Sequence, residues 1–234
     1  MTRGIPRRVR ASLVETVERD HRQTDADFRR RQVVTACTTL VGAALLAWGL
    51  NAPKGGTAFY VATFLLAATW TIGAFASGPL HLGHINVGQG RRRPAIEPVV
   101  IGLALAALFV VGALIIREVP FLREQVDDVL DHVRRGSGPL TVVVTVVNGV
   151  AEELFFRGTL YAAVPGHHQV LITTVVSTLV TLASGNLMLG FAALVLGLVV
   201  GLQRRASGGV LAPIITHLTW SLSMLVALPQ LVGG

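Results

Sequence analysis

Charge is what this sequence has least of. Asp, Glu, Lys and Arg make up 14% of it, where a soluble domain carries roughly a quarter. With a mean hydropathy of +0.62, that shortage excludes an ordinary water-soluble globule and points to a chain that crosses a membrane several times. Lysine is almost missing, Lys54 being the one lysine among 20 basic residues. Cysteine occurs once, as Cys37 inside an apolar run, which excludes an intrachain disulfide and a cysteine-built zinc site. No cleavable signal sequence is expected, because the first 32 residues are mostly polar. Internal repeats and low-complexity tracts are missing as well.

Apolar runs are what the sequence has in abundance. They fall at about 33–50, 58–77, 98–116, 140–163, 169–184, 187–203 and 210–228. A helix rises about 1.5 Å per residue, so such runs suit a hydrocarbon core about 30 Å thick. The pattern predicts an all-α polytopic transmembrane helical bundle of about seven spans. Residues 117–135 add Leu122, Val126, Val129, Leu130 and Val133 at helical spacing with acids opposite, which predicts an amphipathic surface helix. Three regions follow: a cytoplasmic basic tail over 1–32, N-terminal helices with a loop and the amphipathic helix over 33–139, and a four-span core over 140–234.

The formal charge of +7 invites a nucleic-acid reading, but the arginines lie in loops beside the spans and read as topogenic. The tail arginines, Arg91 to Arg93, Arg204 and Arg205 fall on one side of the membrane. Lys54 and the arginines between 117 and 135 fall on the other. That bias predicts an integral protein of the plasma membrane with its N-terminus cytoplasmic and its C-terminus outside, surrounded by lipid and without a nucleic-acid partner. The tail suits either a solvated mixed-charge helix or one lying on anionic headgroups. Tyr60 and Trp70 are candidate interface anchors. Gly197 and Gly201 form a small-xxx-small pair that predicts close helix packing. His81 and His84 have metal-ligand spacing, but no carboxylate accompanies them and their loop belongs at the interface.

The C-terminal runs have one charged interruption, Asn148-Gly-Val-Ala-Glu152-Glu153-Leu-Phe-Phe-Arg157-Gly-Thr-Leu-Tyr161. Ionisable groups at that depth cost several kcal/mol each and mark function by default. Glu153 and Arg157 are four apart with the acid first, the better orientation for pairing on a helix. Glu152 points about 100° away, so one carboxylate can hold the arginine while the other stays free. The last run adds His217 and, one turn on, Ser221, in a helix that Pro213 either starts or kinks. Glu152 lies about 18 Å from one membrane face, hence about 12 Å from the other, and His217 about 10 Å from that second face. The two groups therefore fall at a similar level. A carboxylate pair with a histidine suits water activation, by a general base alone or with a bound divalent metal. Ser221 is a weaker nucleophile candidate, since nothing else completes a triad. A buried Glu–Arg pair can also simply lock two helices, but that leaves the second glutamate without a purpose.

Glu152-Glu153-Leu-Phe-Phe-Arg157-Gly resembles the first motif, Glu-Glu-x-x-x-Arg, of the CPBP family of intramembrane metalloproteases. That family comprises CAAX prenyl proteases and bacteriocin-processing proteins, and the resemblance covers about 140–228. It implies a helical membrane fold whose cytoplasm-facing cavity holds glutamates, histidines and an asparagine. Carried over, it implies Glu152 and Glu153 for water activation, Arg157 for orientation and His217 for proton transfer or metal binding. A divalent metal such as zinc would then sit on Glu152, Glu153 and His217. Two departures stand out. The second motif, Phe-x-x-x-His, should fall near 181–186, where the sequence reads Thr181-Leu-Ala-Ser184-Gly185-Asn186. The third, His-x-x-x-Asn, appears as His217-x-x-x-Ser221, which makes Asn186 and Ser221 the candidate auxiliary groups. The expected activity is that of an intramembrane endopeptidase cleaving a membrane-embedded or lipidated peptide. The alternative is a non-catalytic relative acting as a membrane scaffold or partner-binding protein. A proton-coupled transporter is a third reading, weakened by the missing inverted repeat.

Overall fold

The computed structural model describes residues 7–17, 23–87 and 90–231; of the basic tail, 1–6 and 18–22 lie outside the described residues, as does the side chain of Val133. A short helix, α1 (Arg7–Leu13), precedes the first long one, α2 (Asp25–Leu50). Helix α2 starts within the polar tail, earlier than hydropathy indicates, because Thr24 caps it. The Thr24 hydroxyl accepts the Asp27 N–H at 3.1 Å, and Asp25 and Asp27 complement the positive end of the helix. Helix α3 (Thr57–Ser77) follows, then a two-stranded hairpin, β1 (Ile85–Val87) with β2 (Gly90–Arg92), which hydropathy did not predict. Next come α4 (Ile96–Ile116) and the amphipathic α5 (Pro120–Arg135). Helix α6 (Gly138–Glu152) continues without a break into a π-helical segment, Glu153–Leu160, and the last turn α7 (Tyr161–Ala163). The chain ends with α8 (Gln169–Leu182), α9 (Leu187–Ser207) and α10 (Leu211–Leu231).

The fold is an all-α polytopic bundle. Among the described residues, 6 helices are long and apolar enough to cross a membrane. The remaining predicted span, α8, has 14 residues, about 21 Å of helix, short of a core about 30 Å thick. Consecutive helices nevertheless alternate between two ends of the bundle. At one end, Lys54 pairs with Asp128 of α5, the Tyr60 hydroxyl accepts the Ser137 N–H at 3.0 Å, and Asn186 donates to the Gln125 carbonyl at 2.7 Å. At the other end, the Val17 N–H donates to the Ala206 carbonyl at 3.0 Å. Here residues 79–84 form a strap across the α9–α10 connection: Val210 N–H donates to His81 O at 2.9 Å and His84 N–H to Ser207 O at 2.9 Å. The two backbones touch where Gly83 crosses Gly209, so neither position has room for a side chain. Gly83 also sits at φ +81, where a side chain is strained.

Three closely packed pairs, α2 with α3, α4 with α10 and α8 with α9, surround α6 and its π segment. The main apolar cluster joins Leu66, Trp70, Phe155, Phe156, Leu160 and Val180. Trp70 stacks on Phe155 with ring centroids 4.5 Å apart and is 1% exposed, so it is a core residue and not the interface anchor its position in the span suggested. Leu40, Ile72, Phe75, Leu108, Leu179 and other large apolar side chains face outward from the spans, as a hydrocarbon solvent requires. Gly197 and Gly201 do bring α9 onto α8: a β-carbon on Gly201 would lie 3.0 Å from Val170 Cγ1.

Candidate active site

The π segment opens at Glu153, the middle of the charged interruption. In a π turn each N–H reaches back five residues, as Tyr161 does to Phe156 here, and the widened turn is a local distortion found mostly at functional sites. Glu153 is fully buried, and its Oε1 accepts from Arg157 Nη1 at 3.2 Å, the four-residue pairing the spacing predicts. The same oxygen faces His217 Nδ1 at 2.8 Å. Across the ring, His217 Nε2 stands 4.0 Å from Glu152 Oε2. The imidazole of α10 is thus inserted between the two glutamates of the central helix. Helix α10 starts at Leu211, so Pro213 lies in its first turn and does not kink it.

The glutamates differ in surroundings. The Glu152 side chain is 32% exposed and that of Glu153 0%. Both, with Arg157 and His217, line a cavity of about 40 Å³ closed by Leu46, Trp70, Phe156, Val180 and Leu196. One water needs roughly 10–15 Å³ on this measure, so the hollow has room for a few waters and none for a peptide. Glu153 Oε2 and Arg157 Nε are buried without hydrogen-bond partners among the described residues. Gly149, one turn before Glu152, lets α10 pack close: a β-carbon there would lie 3.0 Å from Leu218 Cδ2, next to His217.

The auxiliary candidates are not brought to this cavity. Asn186 caps α9, accepting the Leu189 N–H at 2.9 Å while its amide donates to Gln125 O. Ser221, half-buried, is not among the residues lining the hollow. On α8 the lining residues Ser177 and Thr181 stand near the missing second-motif histidine, and both hydroxyls bond to carbonyls of their own helix. His81 and His84 lie in the strap. The expected metal set is divided by the imidazole, with Glu153 on Nδ1 and Glu152 facing Nε2. Catalytic zinc usually takes three protein ligands. Among the described residues, no group of three or more His, Cys, Asp or Glu side chains is placed to hold an ion. The residues present therefore do not fit a three-ligand zinc centre. Hydropathy reasoning also missed Arg204, which it reads as an end marker. Arg204 is 4% exposed and its Nε donates to the Arg157 carbonyl at 2.6 Å.

Comparison with known proteins finds one family model similar to the part of the chain that builds this site. Residues 135–223 match the model described as type II CAAX prenyl endopeptidase Rce1-like, and the matched segment contains all four charged groups of the cavity. No curated protein and no solved structure matches the chain. Over residues 135–223 this integral membrane protein is thus similar to the Rce1-like CAAX endopeptidases, which the Glu-Glu-x-x-x-Arg motif also resembles.

Proposed function

We propose that the protein is an intramembrane endopeptidase that hydrolyses a membrane-embedded or lipidated peptide with water activated by Glu152 and His217. One observation carries the reading: the His217 ring is held by Glu153 on one nitrogen and faces Glu152 across 4.0 Å on the other. That separation is too long for a direct hydrogen bond. It suits a water about 2.8 Å from each group, the arrangement expected when a polar contact exceeds about 3.5 Å. Glu152 takes the proton of that water as its oxygen attacks the scissile carbonyl, and later returns it to the leaving amine. Glu153 orients the imidazole through Nδ1, as the aspartate of a serine-protease triad does, and Arg157 fixes Glu153 in turn. Carrying a proton on each nitrogen, the ring donates Nδ1–H to Glu153 and Nε2–H first to the water and then to the tetrahedral oxyanion. No step is assigned to a metal, because the donor set falls short of three ligands. By charge bias the strap end of the bundle faces the cytoplasm of a plasma-membrane protein.

Purified protein offered a farnesylated peptide with three residues beyond the modified cysteine, and a set of unmodified transmembrane peptides, tests this. Cleavage by the wild type, lost in Glu152→Gln and in His217→Ala and retained after a zinc chelator, is the expected result. Cleavage that survives both substitutions removes the mechanism, and loss on chelation with recovery on zinc removes its metal-free form. A scaffolding relative is the second reading, favoured by one observation: α8 presents only self-bonded hydroxyls to the cavity where the family places a histidine. Failure of the wild type to cleave either kind of peptide supports that reading.

A further inference from the structure

The structure assigns Arg204 a part in the site: it is a positioning residue that holds the π turn from behind and so sets the Arg157–Glu153–His217 chain. A basic residue that only marks the end of a span sits in water or among headgroups, as the adjacent, exposed Arg205 does. Arg204 instead turns into the bundle, where a guanidinium is costly to bury unless its hydrogen bonds are met. Its Nε donates to the Arg157 carbonyl at 2.6 Å, a short charge-assisted bond. Its guanidinium carbon lies 4.7 Å from the centroid of the Tyr161 ring, the first residue beyond the π segment.

The π turn is a rare geometry and needs outside support. Thr159 supplies some of it, with its hydroxyl 2.9 Å from Ser77 Oγ, and Gly158 more, seated against Leu80 and Val210. Arg204 differs from these in grasping the residue whose side chain enters the cavity. Helix α9 touches that residue a second time. Gly197, seven residues before Arg204 and hence on the same face, leaves space for the guanidinium; a β-carbon there would lie 3.1 Å from Arg157 Nη2. Carbonyl and side chain of Arg157 are thus both registered against one helix. Arg157 then meets Glu153, and Glu153 meets His217.

The kinetic arm of the test rests on the endopeptidase reading; the spectroscopic arm does not. Ring nitrogens of His217, identified by comparison with His217→Ala, are followed by NMR in ¹⁵N-histidine-labelled full-length protein. Arg204→Gln is expected to displace them and Arg205→Gln to leave them in place. Arg204→Lys, which keeps the charge but cannot lie flat on Tyr161, is expected to fold and to give a smaller displacement in the same direction. Cleavage of the farnesylated peptide should show kcat down about tenfold in Arg204→Gln with KM within about twofold, the sign of an interaction that matters in the transition state. Unmoved His217 signals in folded Arg204→Gln or Arg204→Lys overturn the assignment, as does an equal displacement by Arg205→Gln. A wild type that cleaves nothing overturns the proposed activity alone, and the His217 signals still decide the role of Arg204.

Discussion

Neutralising the two glutamates one at a time should affect different properties. The Glu153 side chain is 0% exposed and Arg157's is 5%, and the carboxylate oxygen between them also serves His217. Glu153→Gln leaves a buried guanidinium without its counter-charge, a change that costs about 3–5 kcal/mol when a buried pair is broken from one side. Because the amide keeps a carbonyl that can accept a bond, the lower end, about 3 kcal/mol, is expected. In a protein of this size that corresponds to roughly 6–12 °C in Tm. Arg157→Met should cost a similar amount by leaving the carboxylate alone. The double variant, with neither charge, should recover most of the loss, giving a coupling on the order of 3 kcal/mol. Thermal unfolding in one detergent at one scan rate measures all three, the fixed rate guarding against irreversible unfolding. Glu152→Gln is the control: its carboxylate is 32% exposed and bears no charge partner within hydrogen-bond distance, so Tm should stay within about 2 °C of wild type while cleavage is lost. Additive losses in the double variant, or Glu152→Gln as destabilising as Glu153→Gln, would refute this division of labour.

Three further outcomes are expected. Gly197→Ala brings a methyl to 3.1 Å from both Arg157 Nη2 and Thr174 Cγ2, so it should lower cleavage more than Gly201→Ala, whose methyl meets no charged group; relative rates on the same peptide decide it. Asn186→Ala should cost about 1 kcal/mol of stability through the lost cap and leave cleavage unchanged, since both amide groups serve α9 and α5. His81, outside the spans, is held below the ordinary histidine range by burial first and then by Arg204 and Arg31. A base lowered in the folded state remains neutral while the unfolded chain takes up a proton. The protein should therefore lose stability as pH falls through and below about 6.5, and the Tm of His81→Gln should fall less between pH 7.5 and 5.5.

The spans were legible in the sequence because lipid demands long apolar helices, and the limits of α3, α4 and α10 fall within a few residues of their hydropathy runs. The meeting of Glu152, Glu153, Arg157 and His217 was also legible, from a charged interruption and a count of residues from each membrane face. Three features were not. The π segment leaves no mark in hydropathy, since Glu153–Leu160 reads equally well as one more α turn. Trp70 is an aromatic in a span, and only packing against Phe155 tells a core ring from an interfacial one. Arg204 and Arg205 are identical neighbours in sequence, yet one turns inward and the other outward; a residue's side of a helix is fixed by what packs there, here Tyr161 and the Arg157 carbonyl. Asn186 had the right chemistry for the site and lies at a helix start, where an N-cap is the stronger demand.

The Gly83–Gly209 crossing has a mechanical side. Two connections joined backbone to backbone, with hydrogen bonds on either side, travel as one rigid link. One of them leads directly into α10, which bears the imidazole, and the other into the arginine-bearing hairpin. A hollow of about 40 Å³ has to widen before any peptide reaches it, and a tilt of α10 that widens it drags the hairpin with it. On the endopeptidase reading, admission of a substrate and movement of strands β1 and β2 are therefore geared to each other, like a latch and its handle.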